Sequence, residues 1–314
     1  MKKLLLFSIA ILFCFSLMAQ TAMLRMNLEK NKTYQLRSLS EQTTSQTVNG
    51  NQQTTETKVN YLMSLKMVDV TPEFMIAEIR FDTLITLSDA MGQQIKISSA
   101  VEGDMKSSKT GDIMSCIMNR LSKNAVYTKI DFTGKPVEIL NSKMLSDMIL
   151  KDTSAITLTG PMAAAIKTQI VNTVDANSLK TMIGGFTWCL PGEQVRVGDV
   201  WTHTQQTSSG GMALEINTTY HLDAIKDNQA IISGESGIKA ASNAAPIQSG
   251  GATVTYDNLQ GISKSNLVID INSGLIVENK AKTHIAGNLG ISAPGFSMQM
   301  PLDINGESTV TAIR

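Results

Sequence analysis

From Tyr34 onward most of the chain alternates apolar and polar residues in steps of two, the period of a half-buried strand. Tyr34-Gln35-Leu36 opens one such run, and a polar stretch rich in Thr, Ser and Gln follows, broken at Asn49-Gly50. The run 59–70 carries Leu62, Met63, Leu65 and Met67. Thr71-Pro72-Glu73 then turns the chain into residues 74–81, and the run 126–130 leads through Asp131-Phe132-Thr133-Gly134 to Val137-Glu138-Ile139. The second half reads in the same order. Trp201-Thr202-His203-Thr204 opens it, a polar stretch breaks at Gly210-Gly211, and the run 214–225 turns at Asp227-Asn228 into Ala230-Ile231-Ile232. Leu267-Val268-Ile269 leads through Asp270-Ile271-Asn272-Ser273-Gly274 to Ile276-Val277-Glu278. Tyr61 matches Tyr220, Asp131 matches Asp270 and Gly134 matches Gly274, which predicts an imperfect duplication. Asn49-Gly50, Gly210-Gly211 and Asp227-Asn228 supply the positive φ of tight antiparallel reversals. The two Asp-to-Gly segments fit slightly longer ones.

Between the halves the period lengthens to nearly four. Ser142 is placed to cap a helix with Met144, Leu145, Met148 and Ile149 on one side. Pro161 suits a first helical turn, and residues 163–174 carry Ile166, Ile170 and Val174 on one stripe. A short piece, 178–183, ends at Gly184-Gly185. Another helix is expected where Asp112 caps Ile113, Ile117 and Leu121, and Gly287-Asn288 and Gly306 predict closing antiparallel strands. The expected fold class is α+β: two related, mainly antiparallel β-sheet units, open, curved or half-barrel-like, joined by a helical segment. The expected divisions are 20–141 for the first β-rich repeat, 142–186 for the helical connector and 187–314 for the second repeat.

Residues 1–19 stand apart. Lys2-Lys3, an apolar run over 4–17 and Ala19-Gln20 have the layout of a cleaved secretory signal peptide, with an apolar run too short to span a bilayer. Phe13 before Cys14 is wrong for a lipoprotein. The expected location is therefore periplasmic or secreted, with no transmembrane segment after cleavage. Removing Lys2 and Lys3 takes the 27 basic residues to 25, against 27 acidic. Near-neutrality argues against nucleic acid as a partner. Two cysteines remain, Cys116 and Cys189, either paired across the exported fold or buried separately.

The chemistry is sparse. His203, His221 and His284 form neither a His-Glu-x-x-His helix nor a Cys-x-x-Cys site, although His203 and His221 could neighbour each other on paired strands. Ser236 and Lys239 have Ser-x-x-Lys spacing, but Lys109-Thr110-Gly111 precedes them instead of following, and no Ser-Asp-Asn element is present. No catalytic, cofactor-binding or metal residues are assigned, and the expectation is a protein without enzymatic activity or cofactor. Eighteen methionines beside 5% aromatic residues suggest ordinary core or a deformable apolar cavity, with Met63, Met67, Met144, Met148 and Trp201 as candidate lining. Residues 190–201 look built to a plan: Pro191-Gly192 turns, Val195 and Val197 alternate, Gly198-Asp199 bulges, and Trp201 begins a strand.

The Ala-Gln junction, the Pro-x-x-x-x-Val-Gly-Asp-x-Trp element and the paired Asp-x-x-Gly hairpins together resemble a domain-of-unknown-function family of exported Bacteroidota proteins. That resemblance implies no catalytic residues. At fold level, a curved antiparallel sheet with helices on it is similar to periplasmic carriers of the LolA type, an analogy that does not fix function. The expected function is binding of an apolar or amphipathic, lipid-like ligand between sheet and helices. The alternative is a structural or protein-interaction component of the cell envelope, reaching a partner through the polar hairpin around Asn49-Gly50.

Overall fold

Alternation builds one continuous sheet where two units were expected. The computed structural model describes residues 20–48, 50–159, 163–209, 212–242, 244, 246–249 and 251–313. Residues 1–19, Asn49, Pro161 and Gly210-Gly211 lie outside the described residues. The strands are β1 (Thr21–Leu24), β2 (Thr33–Val48), β3 (Asn51–Val70), β4 (Phe74–Ala90), β5 (Gln93–Ser98), β6 (Val126–Asp131) and β7 (Pro136–Ile139) in the first half. The second half holds β8 (Glu193–Arg196), β9 (Val200–Ser209), β10 (Met212–Lys226), β11 (Gln229–Ala240), β12 (Ile247–Ser249), β13 (Ala252–Asp270), β14 (Ile276–Ala293) and β15 (Phe296–Ile313). Helix α1 (Thr110–Ser122) precedes β6, while α2 (Ser142–Ile149), α3 (Ala163–Asn172) and α4 (Ala176–Thr187) fall between β7 and β8.

Among the described residues thirteen strands join in the order β7-β6-β4-β3-β2-β15-β14-β13-β11-β10-β9, with β5 beside β4 and β12 beside β13. Strands β1 and β8 form a separate ribbon. What merges the halves is the last strand: β15 pairs antiparallel with β2 from Leu302↔Gln46 to Ile313↔Gln35. A first strand paired on one side only leaves a row of open backbone groups, and the chain's end covers it.

The helices begin and end where sequence signals were ambiguous. Asn141, not Ser142, precedes α2. Its side chain is committed elsewhere, accepting from Tyr127 N and donating to Ala125 O, both at 2.9 Å. Lys109 precedes α1, so Asp112 sits inside the first turn. Helix α4 is capped by Asp175, which accepts from Ser178 N at 2.7 Å, and it runs through Gly184-Gly185 instead of stopping there. Gly184 faces Pro136 where α4 packs on β7, and a Cβ there would make ordinary contact at 3.5 Å from Pro136 Cδ.

One face of the sheet carries Leu36, Met63, Leu65, Ile79, Phe81, Leu222, Ile232 and Leu267, which join buried residues of α1 to α4 in a single core. The opposite face is charged. Across neighbouring strands Glu235, Lys264, Lys282, Glu307, Glu41 and Lys58 stand in one row, with Lys282 pairing Glu307 at 2.8 Å and Lys58 pairing Glu41 at 3.1 Å. A lipid-facing strand wall needs an uninterrupted apolar band there; this face suits water.

The two Asp-to-Gly reversals are clamps. Asp131 Oδ1 accepts from Thr133 N, Thr133 Oγ1 and Lys135 N, and Asp270 Oδ2 accepts from Ser273 N and Ser273 Oγ. Between them passes the N-terminal strap: Met26 N donates to Phe132 O and Asn27 N to Ser273 O, each at 2.9 Å, while Leu24 and Met26 are fully buried. Gly134 and Gly274 close the clamps at φ +88° and +72°, and a Cβ on either would overlap backbone, Thr187 O for the first and Arg25 O for the second. Gly134→Ala is therefore expected to cost about 2–4 kcal/mol in urea unfolding, from left-handed strain plus overlap. Gly50→Ala, at φ +79° with nothing within 4 Å, should cost only about 1–2 kcal/mol. Equal losses would show that the clamp contact contributes nothing.

Candidate functional site

On the core-side face the register aligns unusual residues. Strands β9, β10, β11, β13, β14, β15, β2, β3 and β4 contribute His203, Thr218, Ser236, Ser263, Thr283, Gly306, Gln42, Thr57 and Ser88 in one row. The row beside it, nearer the helices, reads Trp201, Tyr220, Gly234, Ser265, Ala281, Ser308, Ser40, Val59 and Thr86. Small hydroxyls thus form a belt across the sheet. Thr218 and Ser236 bond at 2.9 Å, Thr283 Oγ1 donates to Ser263 Oγ at 2.8 Å, and Thr57 and Ser88 bond at 3.2 Å. Apolar residues lie on both sides: Leu222, Ile232 and Leu267 toward the main core, and Ile238, Ile285 and Ile304 in a second cluster beyond.

At the β9 end the belt meets a splice between the two edges of the sheet. Helix α4 packs on both β7 and β9, and the segment after it joins them. Thr187 Oγ1 donates to Gly134 O at 2.6 Å, Leu190 N to Thr133 O at 3.2 Å, and Trp201 Nε1 to Cys189 O at 3.0 Å. Trp188 stacks on His203 at 5.2 Å with Lys135 Nζ 4.7 Å from its ring, and Trp201 stacks on Tyr220 at 5.7 Å. His203 also meets Tyr220 edge-on at 5.6 Å. Burial lowers the His203 pKa from its ordinary 6.5, opposed by Asp131 and by a hydrogen bond to the Leu190 backbone, and assisted by Lys135. Nδ1 is buried without a partner. Burial pushes the Cys189 thiol up to about 12 and the Tyr220 phenol upward as well, which keeps both neutral.

Of the predicted lining residues, Trp201 reaches this cluster. Met63 and Met67 are buried in the main core, while Met144 and Met148 are 49% and 46% exposed. Of the four residues expected on one side of the helix carrying them, Leu145 and Ile149 turn inward and the two methionines do not. Cys116 and Cys189 are both free and buried. His203 and His221 occupy opposite faces of the sheet, as do Ser236 and Lys239, the latter paired with Glu215 at 2.9 Å. Asp223 Oδ1 accepts from Ser233 Oγ at 3.1 Å and sits 2.5 Å from His221 Nδ1. That serine is therefore held by the carboxylate, not by the imidazole that nucleophilic catalysis needs. Among the described residues no three His, Cys, Asp or Glu side chains converge on a metal position.

A cavity of about 160 Å³ lies between β5, α1 and α3, lined by Ile97, Thr110, Met114, Ile166, Gln169 and Ile170. A wider groove of about 680 Å³ runs along the outward face past Asn217, His221, Glu235 and Lys264. The belt was not predicted, and an apolar cavity between sheet and helices was expected with other lining residues than those of the 160 Å³ space. The belt does have a sequence signature: a charge between two small or neutral residues, as in Gly234-Glu235-Ser236, Ser263-Lys264-Ser265, Ala281-Lys282-Thr283, Gly306-Glu307-Ser308 and Ser40-Glu41-Gln42.

A family model described as "Family of unknown function (DUF6263)" matches residues 72–276. The chain belongs to DUF6263. No curated protein matches this DUF6263 chain. Among solved structures it is similar to the outer membrane protein OprG from Pseudomonas aeruginosa, at 7% identity and TM-score 0.24, covering 91% of this chain and 98% of that one. Pseudomonas aeruginosa OccK7 is 7% identical, with TM-score 0.25 and coverage of 90% and 99%. A DUF1329 family protein from Desulfovibrio piger is 8% identical, with TM-score 0.14 and coverage of 86% and 83%.

The buried imidazole gives a pH test. Its native pKa lies below 6.5, so the unfolded chain takes the proton first, and stability rises with pH wherever the unfolded state holds more protons. Its contribution is complete above about pH 6.5 and drains as pH falls from there through the lowered native value. Denaturant unfolding between about pH 7.5 and 5.5 should show wild-type stability falling, and a smaller fall in His203→Phe, which keeps the stacking. Identical slopes would contradict a buried neutral His203.

Proposed function

We propose that this protein is a non-catalytic binding protein of the cell envelope, periplasmic or secreted. It holds a lipid-like amphiphile between the core-side face of its sheet and its helices. The observation that carries this reading is the continuity of a neutral hydroxyl belt with an apolar cavity. Thr86, at the β4 end of the belt, pairs with Ile97, and Ile97 lines the 160 Å³ space between β5, α1 and α3. Sites for such ligands combine apolar lining with a few placed polar groups. A dry space of about 150 Å³ accepts one aromatic ring, so this cavity suits the apolar end of a ligand and leaves the remainder to the sheet. Water-facing charge on the opposite side fits an exported protein that carries its ligand internally. The shared strand order of the halves and the matched clamps at Asp131 and Asp270 support an origin by duplication.

Protein purified from its own envelope is expected to carry a lipid-sized adduct in native mass spectrometry. Met114→Trp, which fills the cavity, should lower amphiphile affinity by about tenfold or more without lowering the melting temperature. Gln169→Trp at the exposed rim serves if the first variant fails to fold. Absence of any adduct, together with no amphiphile uptake by delipidated protein, would contradict the reading.

A further inference from the structure

We infer that the bound amphiphile has an uncharged head group bearing hydroxyl or amide donors, seated on the hydroxyl belt. This rests on the binding reading above and assigns the ligand chemistry of the same site. The first support is where charge lies. In the two belt rows and the rows flanking them no Asp, Glu, Lys or Arg occurs among the described residues, whereas Glu41, Lys58, Lys264, Lys282 and Glu307 on the same strands point outward. A carboxylate or ammonium head would leave water with no opposite charge to meet, which is costly.

Hydrogen-bond capacity supplies the second support. Each belt hydroxyl has one proton and two lone pairs, so the bonded pairs Thr218–Ser236, Ser263–Thr283 and Thr57–Ser88 keep capacity for a further neutral partner. The third is a pair of orphaned polar atoms beside the belt. Asn279 Oδ1, between Leu267 and Val310 on the core-side face, and His203 Nδ1 are both buried without partners. The Asn279 oxygen can only accept, whereas a ring nitrogen of the neutral His203 donates or accepts according to its tautomer. The Asn279 oxygen needs a donor, and the His203 nitrogen needs a partner that can donate or accept. A hydroxyl or amide N–H supplies a donor; a carboxylate or a simple ester has none to give.

Four amphiphiles of one chain length discriminate: a monoacylglycerol, the matching fatty acid at about pH 8, where it is ionised, the alkyl trimethylammonium and the methyl ester. Calorimetric titration of delipidated full-length protein should find the monoacylglycerol about tenfold tighter than each of the others. Asn279→Leu together with His203→Phe should erase most of that preference while leaving methyl-ester affinity and melting temperature nearly unchanged. If the double variant does not fold, Thr283→Val alone should narrow the preference. Charged probes binding as tightly as the monoacylglycerol, or a preference that survives the variants, would overturn the head-group assignment and leave amphiphile binding standing. Failure of all four to bind would overturn both.

Discussion

Strand register is the constraint on which the rest depends. A strand sends alternate residues to opposite faces, so a slip of one residue exchanges the faces completely. On β14 a slip would place Lys280 and Lys282 where Asn279 and Ala281 now stand, with Leu267 and Val310 beside Asn279. The neighbouring strands carry the same alternation, with Glu307, Glu41 and Lys58 outward. Charge on one face therefore pins the sheet as firmly as apolar residues on the other. That agreement between levels is what allows long strands with few large side chains to adopt one pairing.

Register alone would leave an open sheet with two free edges, which invite pairing with other chains. The chain closes this gap with segments that are not sheet strands. Residues 187–190 bond to the Asp131 clamp on one side and to Trp201 on the other, and the strap at Leu24 to Asn27 threads between the two clamps. Trp188, His203, Trp201 and Tyr220 fill the splice with rings that remain neutral in their buried setting. Both tryptophans of this chain thus sit where strand hydrogen bonds run out.

Local features were legible in the sequence, and long-range ones were not. The reversals at Asp227-Asn228, Asp131 to Gly134 and Asp270 to Gly274 announce themselves through positive φ and Asx bonding, both set within a few residues. Trp201 was readable as the start of a strand, but its partners Cys189 and Tyr220 were not. Pairing of β15 with β2 joins the two ends of the chain and leaves no local trace, which is why one sheet looked like two. The methionines of α2 misled because 144/148 and 145/149 both satisfy helical spacing, and only tertiary packing decides between them. Part of the hydroxyl belt was written as five triplets with a charge between small or neutral residues, yet nothing local reveals that these triplets align across neighbouring strands.

The central claim is that neutral Ser and Thr positions face the ligand while the charged positions between them face water. Thiol labelling of Lys282→Cys and Thr283→Cys, adjacent residues on β14, with the described cysteines Cys116 and Cys189 both buried, measures this most directly. The account predicts that a saturating monoacylglycerol slows labelling at 283 several-fold and leaves 282 unchanged. Equal protection at both positions, or protection at 282 alone, would contradict it.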